Sequence, residues 1–132
     1  MKIRTDYVTN SSSASYIICF ARIADEEKAN KIINKHNLDV FTAGDVRREM
    51  SWSGYLGADW ACAELYNTND VLKDHPDDKF IIIEECNDAE WDEESYDYIY
   101  DYNFYANDII EEITEENGFA DIECAEGEGR NG

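Results

Sequence analysis

Apolar residues in this chain come in short runs, and the runs differ in period. Tyr16-Ile-Ile-Cys-Phe-Ala-Arg-Ile23 is almost continuously β-branched, aromatic or small, which predicts a strand buried on most of its surface. Asp25 stands where a helix N-cap belongs. Ala29, Ile32 and Ile33 then recur at helical spacing, so Glu26–His36 reads as an amphipathic helix. Leu38–Thr42 reads as a short strand, and Asp45–Met50, with the adjacent Arg47 and Arg48, as a short helix. Trp52–Tyr66 fits two patterns. Gly54 and Gly57 interrupt a helix, while alternation of Trp60, Cys62 and Glu64 with Ala61, Ala63 and Leu65 permits a strand. Thr68 caps a helical turn that ends before Pro76. Lys79-Phe-Ile-Ile-Ile-Glu-Glu85 is the clearest strand, an apolar run bounded by turn residues.

Two periods compete in the acidic, tyrosine-rich segment that follows. Tyr96, Tyr98, Tyr100, Tyr102 and Phe104 alternate as a strand would. Tyr98, Tyr102, Tyr105, Ile109 and Ile113 fall on one face of a helix, and this match runs on to a natural stop at Gly118. The longer match predicts helix over Tyr105–Asn117 and favours helix over Glu93–Phe104. Phe119–Cys124 reads as a closing strand. These elements neither alternate nor segregate. They predict an α+β sandwich with a mixed sheet of about four or five strands and helices mainly on one face. One domain over 1–125 is expected, with Glu126–Gly132 (EGEGRNG) as a flexible acidic tail.

Charge changes this picture. Residues 74–132 hold 21 acids against two bases, Lys79 and Arg130, whereas residues 1–73 hold 10 acids against nine bases. The two halves carry −19 and −1, which add to the −20 of the chain. Solubility asks for a net charge of only about 2–8, and more than that weakens the compact state by self-repulsion. The acid therefore needs a reason: a basic partner, cations, or a surface that imitates nucleic acid. Direct binding to nucleic acid or to an anionic membrane is disfavoured, because like charges repel. No apolar run is long enough to span a bilayer, and the N-terminus has no signal-peptide pattern, so a cytoplasmic protein is expected.

The N-terminus carries a further pattern. Lys2-x-Arg4-x-x-Tyr7-Val8-Thr9-Asn10-Ser11-Ser12-Ser13-x-Ser15-Tyr16-Ile17 resembles a signature, roughly K-x-R-x-G-F-V-S-N-S-S-S-S-S-F, found among small proteins of phages, prophages and other mobile elements. It differs from that form at Asp6, Tyr7, Thr9, Ala14 and Tyr16, and covers only about the first 17 residues. The resemblance implies a mobile-element origin, hence a host bacterial cell, and assigns no activity. As plain chemistry, the Ser/Asn run is a turn-prone lead-in to a strand.

Candidate chemistry is sparse. Glu93, Glu94, Asp97 and Asp101 would share one helical face, continued by Glu111, Glu112, Glu115 and Glu116, and such a ladder of carboxylates can stand in for the phosphates of DNA. The bland alternative is a solvated helix face. Tyr96, Tyr98, Tyr100, Tyr102 and Tyr105 are core residues by default and interface residues otherwise. Cys19, Cys62, Cys86 and Cys124 have no C-x-x-C spacing. In a cytosolic chain they are core thiols, or part of a zinc site drawn from Cys19, Cys86, Cys124 and His75 with Cys62 as a spare. No calcium-loop pattern, P-loop, dinucleotide fingerprint, nucleophile elbow or zinc-protease motif occurs, so no enzyme and no obligatory cofactor is expected. The expected partner is a basic nucleic-acid-binding protein, most concretely a CRISPR effector nuclease blocked by an anti-CRISPR inhibitor. The alternative is a phage structural or accessory protein, or a small zinc-stabilised module.

Overall fold

The computed structural model describes residues 13–52 and 68–130, so the N-terminal signature up to Ser12, Cys62 and the ambiguous stretch after Trp52 lie outside the described residues. Strand β1 (Ser13–Ile23) is followed by helix α1 (Glu26–His36), strand β2 (Phe41–Thr42) and helix α2 (Ala43–Trp52). Helix α3 (Thr68–Asp74) then leads into β3 (Lys79–Asp88). A small hairpin, β4 (Glu90–Asp92) and β5 (Asp97–Ile99), precedes helix α4 (Ala106–Ile110). A 3₁₀ turn (Glu115–Asn117) leads to β6 (Phe119–Arg130). The fold is α+β, as the patterning predicts.

The main sheet has the order β2-β3-β1-β6, and β4-β5 form a second, two-stranded sheet. Each neighbouring pair in the main sheet is antiparallel, whereas a mixed sheet was expected. The helices also divide between both faces rather than gathering on one. The cause is visible in β1 and β3, whose two sets of alternating side chains are both apolar. Ile17, Cys19, Ala21, Ile81 and Ile83 face one side, where α1, Phe104, Ala106, Ile109 and Ile113 close the core. Ile18, Phe20, Phe80 and Ile82 face the other, under Ala43 and Val46 of α2 and Val71 and Leu72 of α3. Phe20 and Phe80 stack there with ring centroids 5.5 Å apart.

Local chemistry fixes the element ends. The Asp25 carboxylate accepts from the Lys28 amide and caps α1, whose buried face is Ala29, Ile32 and Ile33. Gly118 has φ +90°, and a Cβ there would stand 2.6 Å from the Asp25 carbonyl oxygen and 2.9 Å from the Ala29 nitrogen. Only glycine lets β6 begin this close to the start of α1. The Gly118 carbonyl in return accepts from the Ala24 and Asp25 amides.

Three expectations are corrected by the observed elements. Residues 126–130 are not a loose tail, because β6 continues beside β1 through the pair Ser13↔Arg130. The helix expected over Tyr105–Asn117 is split into α4 and the 3₁₀ turn. Thr114 is extended between them, its hydroxyl accepting from the Asn117 amide, while Asn117 Nδ2 donates to the Glu112 carbonyl oxygen. A continuous helix would also have stacked Glu111 on Glu115 and Glu112 on Glu116, like charges at i,i+4. Finally, Glu93–Phe104 holds no helix. It forms a turn, β5 and an irregular segment in which the Phe104 amide turns back to the Tyr102 carbonyl. The alternating tyrosines, not the helical ones, report the local structure, so Glu93 lies in the hairpin turn, Asp97 at the start of β5 and Asp101 beyond it, rather than on one helical face.

Candidate protein-docking surface

The C-terminal end of the acidic segment, at the start of α4, is fastened to the sandwich by a buried carboxylate. Glu85, on β3, is 2% exposed. Its two oxygens accept from the backbone amides of Tyr105 and Ala106, each at 2.9 Å. It thus caps α4 from a strand twenty residues earlier in the chain, satisfying donors that no residue of the helix itself satisfies. The segment before α4 is tied down at the same end of the sheet. The Ser15 hydroxyl donates to the Asp101 carbonyl, and Asn87 Nδ2 donates to the carbonyls of Asp101 at 3.2 Å and Asn103 at 3.4 Å. The Tyr102 hydroxyl donates to Glu128 of β6. Desolvation, and then the bond and charge of Glu128, push the Tyr102 phenol up to about 12.

Ala89 is the single residue between β3 and β4, so the β4–β5 hairpin continues from the sheet. Its register is Glu90↔Ile99, Trp91↔Tyr98 and Asp92↔Asp97. Side chains alternate across an antiparallel pair, which puts Trp91 with Tyr98 on one face and the other two pairs on the opposite face. The Trp91 and Tyr98 rings meet edge to face at 5.2 Å. Asp92 accepts from the Ser95 hydroxyl and the Glu94 amide, closing the turn, and these bonds hold its carboxyl below the ordinary range. Tyr96 sits at φ +55° in that turn. Large apolar side chains stay open to solvent: Trp91 is 51% exposed, Tyr96 79% and Ile99 58%. A cleft of about 360 Å³ opens beside the hairpin, lined by Asp88, Glu90, Ile99, Tyr100, Asp101 and Asn103.

The eight acids expected on one helical face occupy two places. Glu93 and Glu94 are in the hairpin turn, Asp97 opens β5, and Asp101 lines the cleft; all four are exposed. Glu111 follows α4, while Glu115 and Glu116 lie in the 3₁₀ turn, also exposed. Glu112 has a structural part. It pairs with Lys35 at 2.6 Å and with His36, joining the C-terminal end of α1 to the turn after α4, and its carboxyl is lowered first by Lys35 and then by His36. Asp88 and Glu90 belong with the hairpin group and were missed. The period-two tyrosine pattern was the signal that would have placed them there. The five tyrosines are not core residues: none of them is buried. Phe104 takes the buried place at the end of that run.

The proposed zinc ligands do not converge. Cys19 and Cys124 are directly opposite in the β1–β6 register and form a disulfide, contrary to the expectation of thiols or metal ligands. Cys86 packs on the other face of the sheet. His75 follows α3 and pairs with Asp78 at 3.2 Å. Cys62 lies outside the described residues. Among the described residues, no group of three or more His, Cys, Asp or Glu side chains is arranged to hold a metal ion, and no helix is long and apolar enough to cross a membrane. Comparison with protein-family models, curated proteins and solved structures finds no match to this chain.

Proposed function

We propose that this chain is a protein-binding inhibitor that occupies a basic nucleic-acid-binding surface with its own carboxylates. In its most concrete form it is a phage-encoded anti-CRISPR protein that blocks loading of guide or target nucleic acid by an effector nuclease. One observation carries the reading: the 21 acids of residues 74–132 meet only Lys79 and Arg130 in that half, and the acids of the hairpin turn stand exposed. Pairing every base of the chain would still leave a charge of −20 uncompensated. A cationic channel built for phosphates supplies the missing charge. Opposite charge also speeds encounter, so association is fast and weakens with salt. The N-terminal resemblance to mobile-element proteins supports a target among host defences.

The test is a nuclease protection assay with purified CRISPR effectors and increasing amounts of this protein. Charge reversal at Asp97 and Asp101, or at Glu111 and Glu115, separates the two acidic places. Loss of protection in either pair supports the reading, and full protection with all four reversed overturns it. A chain that leaves the nuclease active and instead assembles with virion proteins is the accessory protein.

A further inference from the structure

The β4–β5 hairpin is strongly acidic and hydrophobically exposed at once. Asp92 stands directly opposite Asp97, with Glu93 and Glu94 in the turn between them. Like charges directly opposite in an antiparallel pair are destabilising. The sequence between Lys79 and Arg130 contains no Lys or Arg, so the segment itself is strongly acidic. A two-stranded hairpin is marginal by itself, and this one spends Trp91, Tyr96 and Ile99 on solvent rather than on the core. Aromatic anchors inside a charged rim are the composition of a protein contact surface. The charge decides the sign of what covers it.

We infer that the β4–β5 hairpin is the contact element for a basic protein partner and that it recognises arginine in preference to lysine. This rests on the inhibitor reading for its biological setting, and on the hairpin geometry for its chemistry. Trp91 offers a half-exposed ring held in place by the edge-to-face contact with Tyr98, and Tyr96 offers a second ring in the turn. A guanidinium stacks on such faces and remains able to bond carboxylates in its plane, whereas an ammonium is a strongly hydrated point charge. On the opposite face, Ile99 gives the cleft an apolar wall for the stem of a long side chain. Asp88, Glu90 and Asp101 line the same cleft and meet its charge. A groove with arginines on both walls would thus hold the hairpin by both faces.

Isothermal titration of the full chain with hexa-arginine and with hexa-lysine tests this, because the two peptides carry equal charge. Hexa-arginine is expected to bind about five-fold tighter, the worth of an exposed cation–π contact. Amide shifts in an NMR titration should concentrate in 88–101. Trp91→Ala removes an exposed ring, and Tyr96→Asn places a residue that tolerates positive φ, so neither disturbs the sandwich. Each should reduce the arginine preference without changing the charge. Glu111→Gln with Glu115→Gln should weaken both peptides alike and keep the preference. Equal affinity for the two peptides, or a preference untouched by both hairpin variants, overturns the inference. The inhibitor reading fails separately. A hairpin that selects arginine in a chain that protects no nuclease ends that reading alone. Protection undiminished by Trp91→Ala and Tyr96→Asn removes the hairpin and leaves the inhibitor.

Discussion

The sandwich and the hairpin spend the same kinds of residue in opposite ways. In the sandwich, aromatic rings are sealed between layers: Phe20, Phe80 and Phe119 are at most 1% exposed. In the hairpin, Trp91, Tyr96 and Ile99 face solvent among carboxylates. Charge is handled just as differently. Arg22 of β1 bonds Asp78 at 3.1 Å and Asp121 at 2.8 Å, so cation and acids meet at the rim of the sheet. In the hairpin register, by contrast, two acids, Asp92 and Asp97, stand opposite each other. The contrast sets a body whose aromatic rings are buried and whose charges are paired against an arm that leaves both kinds of side chain at the surface. Glu85 is the joint that fastens the start of α4, just after the arm, to β3.

The comparison breaks most visibly through truncation of one ring on each side. Phe80→Ala removes a fully buried ring stacked on Phe20, and is expected to cost about 4 kcal/mol. Trp91→Ala, with its ring half in water, should cost less than about 1 kcal/mol. Urea midpoints of the two variants measure the difference. Equal losses would mean that the hairpin belongs to the cooperative core.

The joint itself is the next largest effect. Glu85→Ala leaves the amides of Tyr105 and Ala106 without their acceptor, and a buried unsatisfied donor costs about 2 kcal/mol. Hydrogen exchange should then accelerate at those two amides and along 100–110 before it does in β1. Uniform acceleration throughout the chain would deny that Glu85 is a local fastening.

The smallest effect sharpens the division among the acids. Glu112 is held below its ordinary value by Lys35 and His36 in the folded state. A depressed carboxyl contributes stability that is complete above the unfolded value, here the ordinary 4.5, and is lost as pH falls through the folded value. Glu112→Gln should therefore flatten the acid limb of stability against pH from about that value downward. Glu111→Gln, at an exposed neighbour, should leave the limb unchanged. Chemical denaturation across the acid range reads both.

The core strands and α1 were legible because their signals are local and unopposed. An apolar run bounded by turn residues has few ways to be satisfied, and Asp25 caps its own helix three residues on. Gly118 likewise marks its stop through its freedom at positive φ. The acidic segment is ambiguous in sequence because its tyrosines satisfy two periods at once, and the charge repulsion at i,i+4 that opposes the longer helical match leaves no trace in the apolar pattern. The placement of the cysteines was illegible for a different reason. Strand register alternates sides, so Cys19 and Cys124 meet while Cys86 points away, and no spacing in the chain reveals which strands are neighbours.

By itself the sequence determined the α+β class, the buried strands, the cap of α1 and the concentration of acid in the second half. These follow from short-range pattern and from composition. The tertiary structure decided the antiparallel order β2-β3-β1-β6, the use of both sheet faces, the capture of α4 by Glu85 and the exposure of the hairpin aromatics. Each of those depends on contacts between residues far apart in the chain, where the energy lies in who is opposite whom rather than in any local preference.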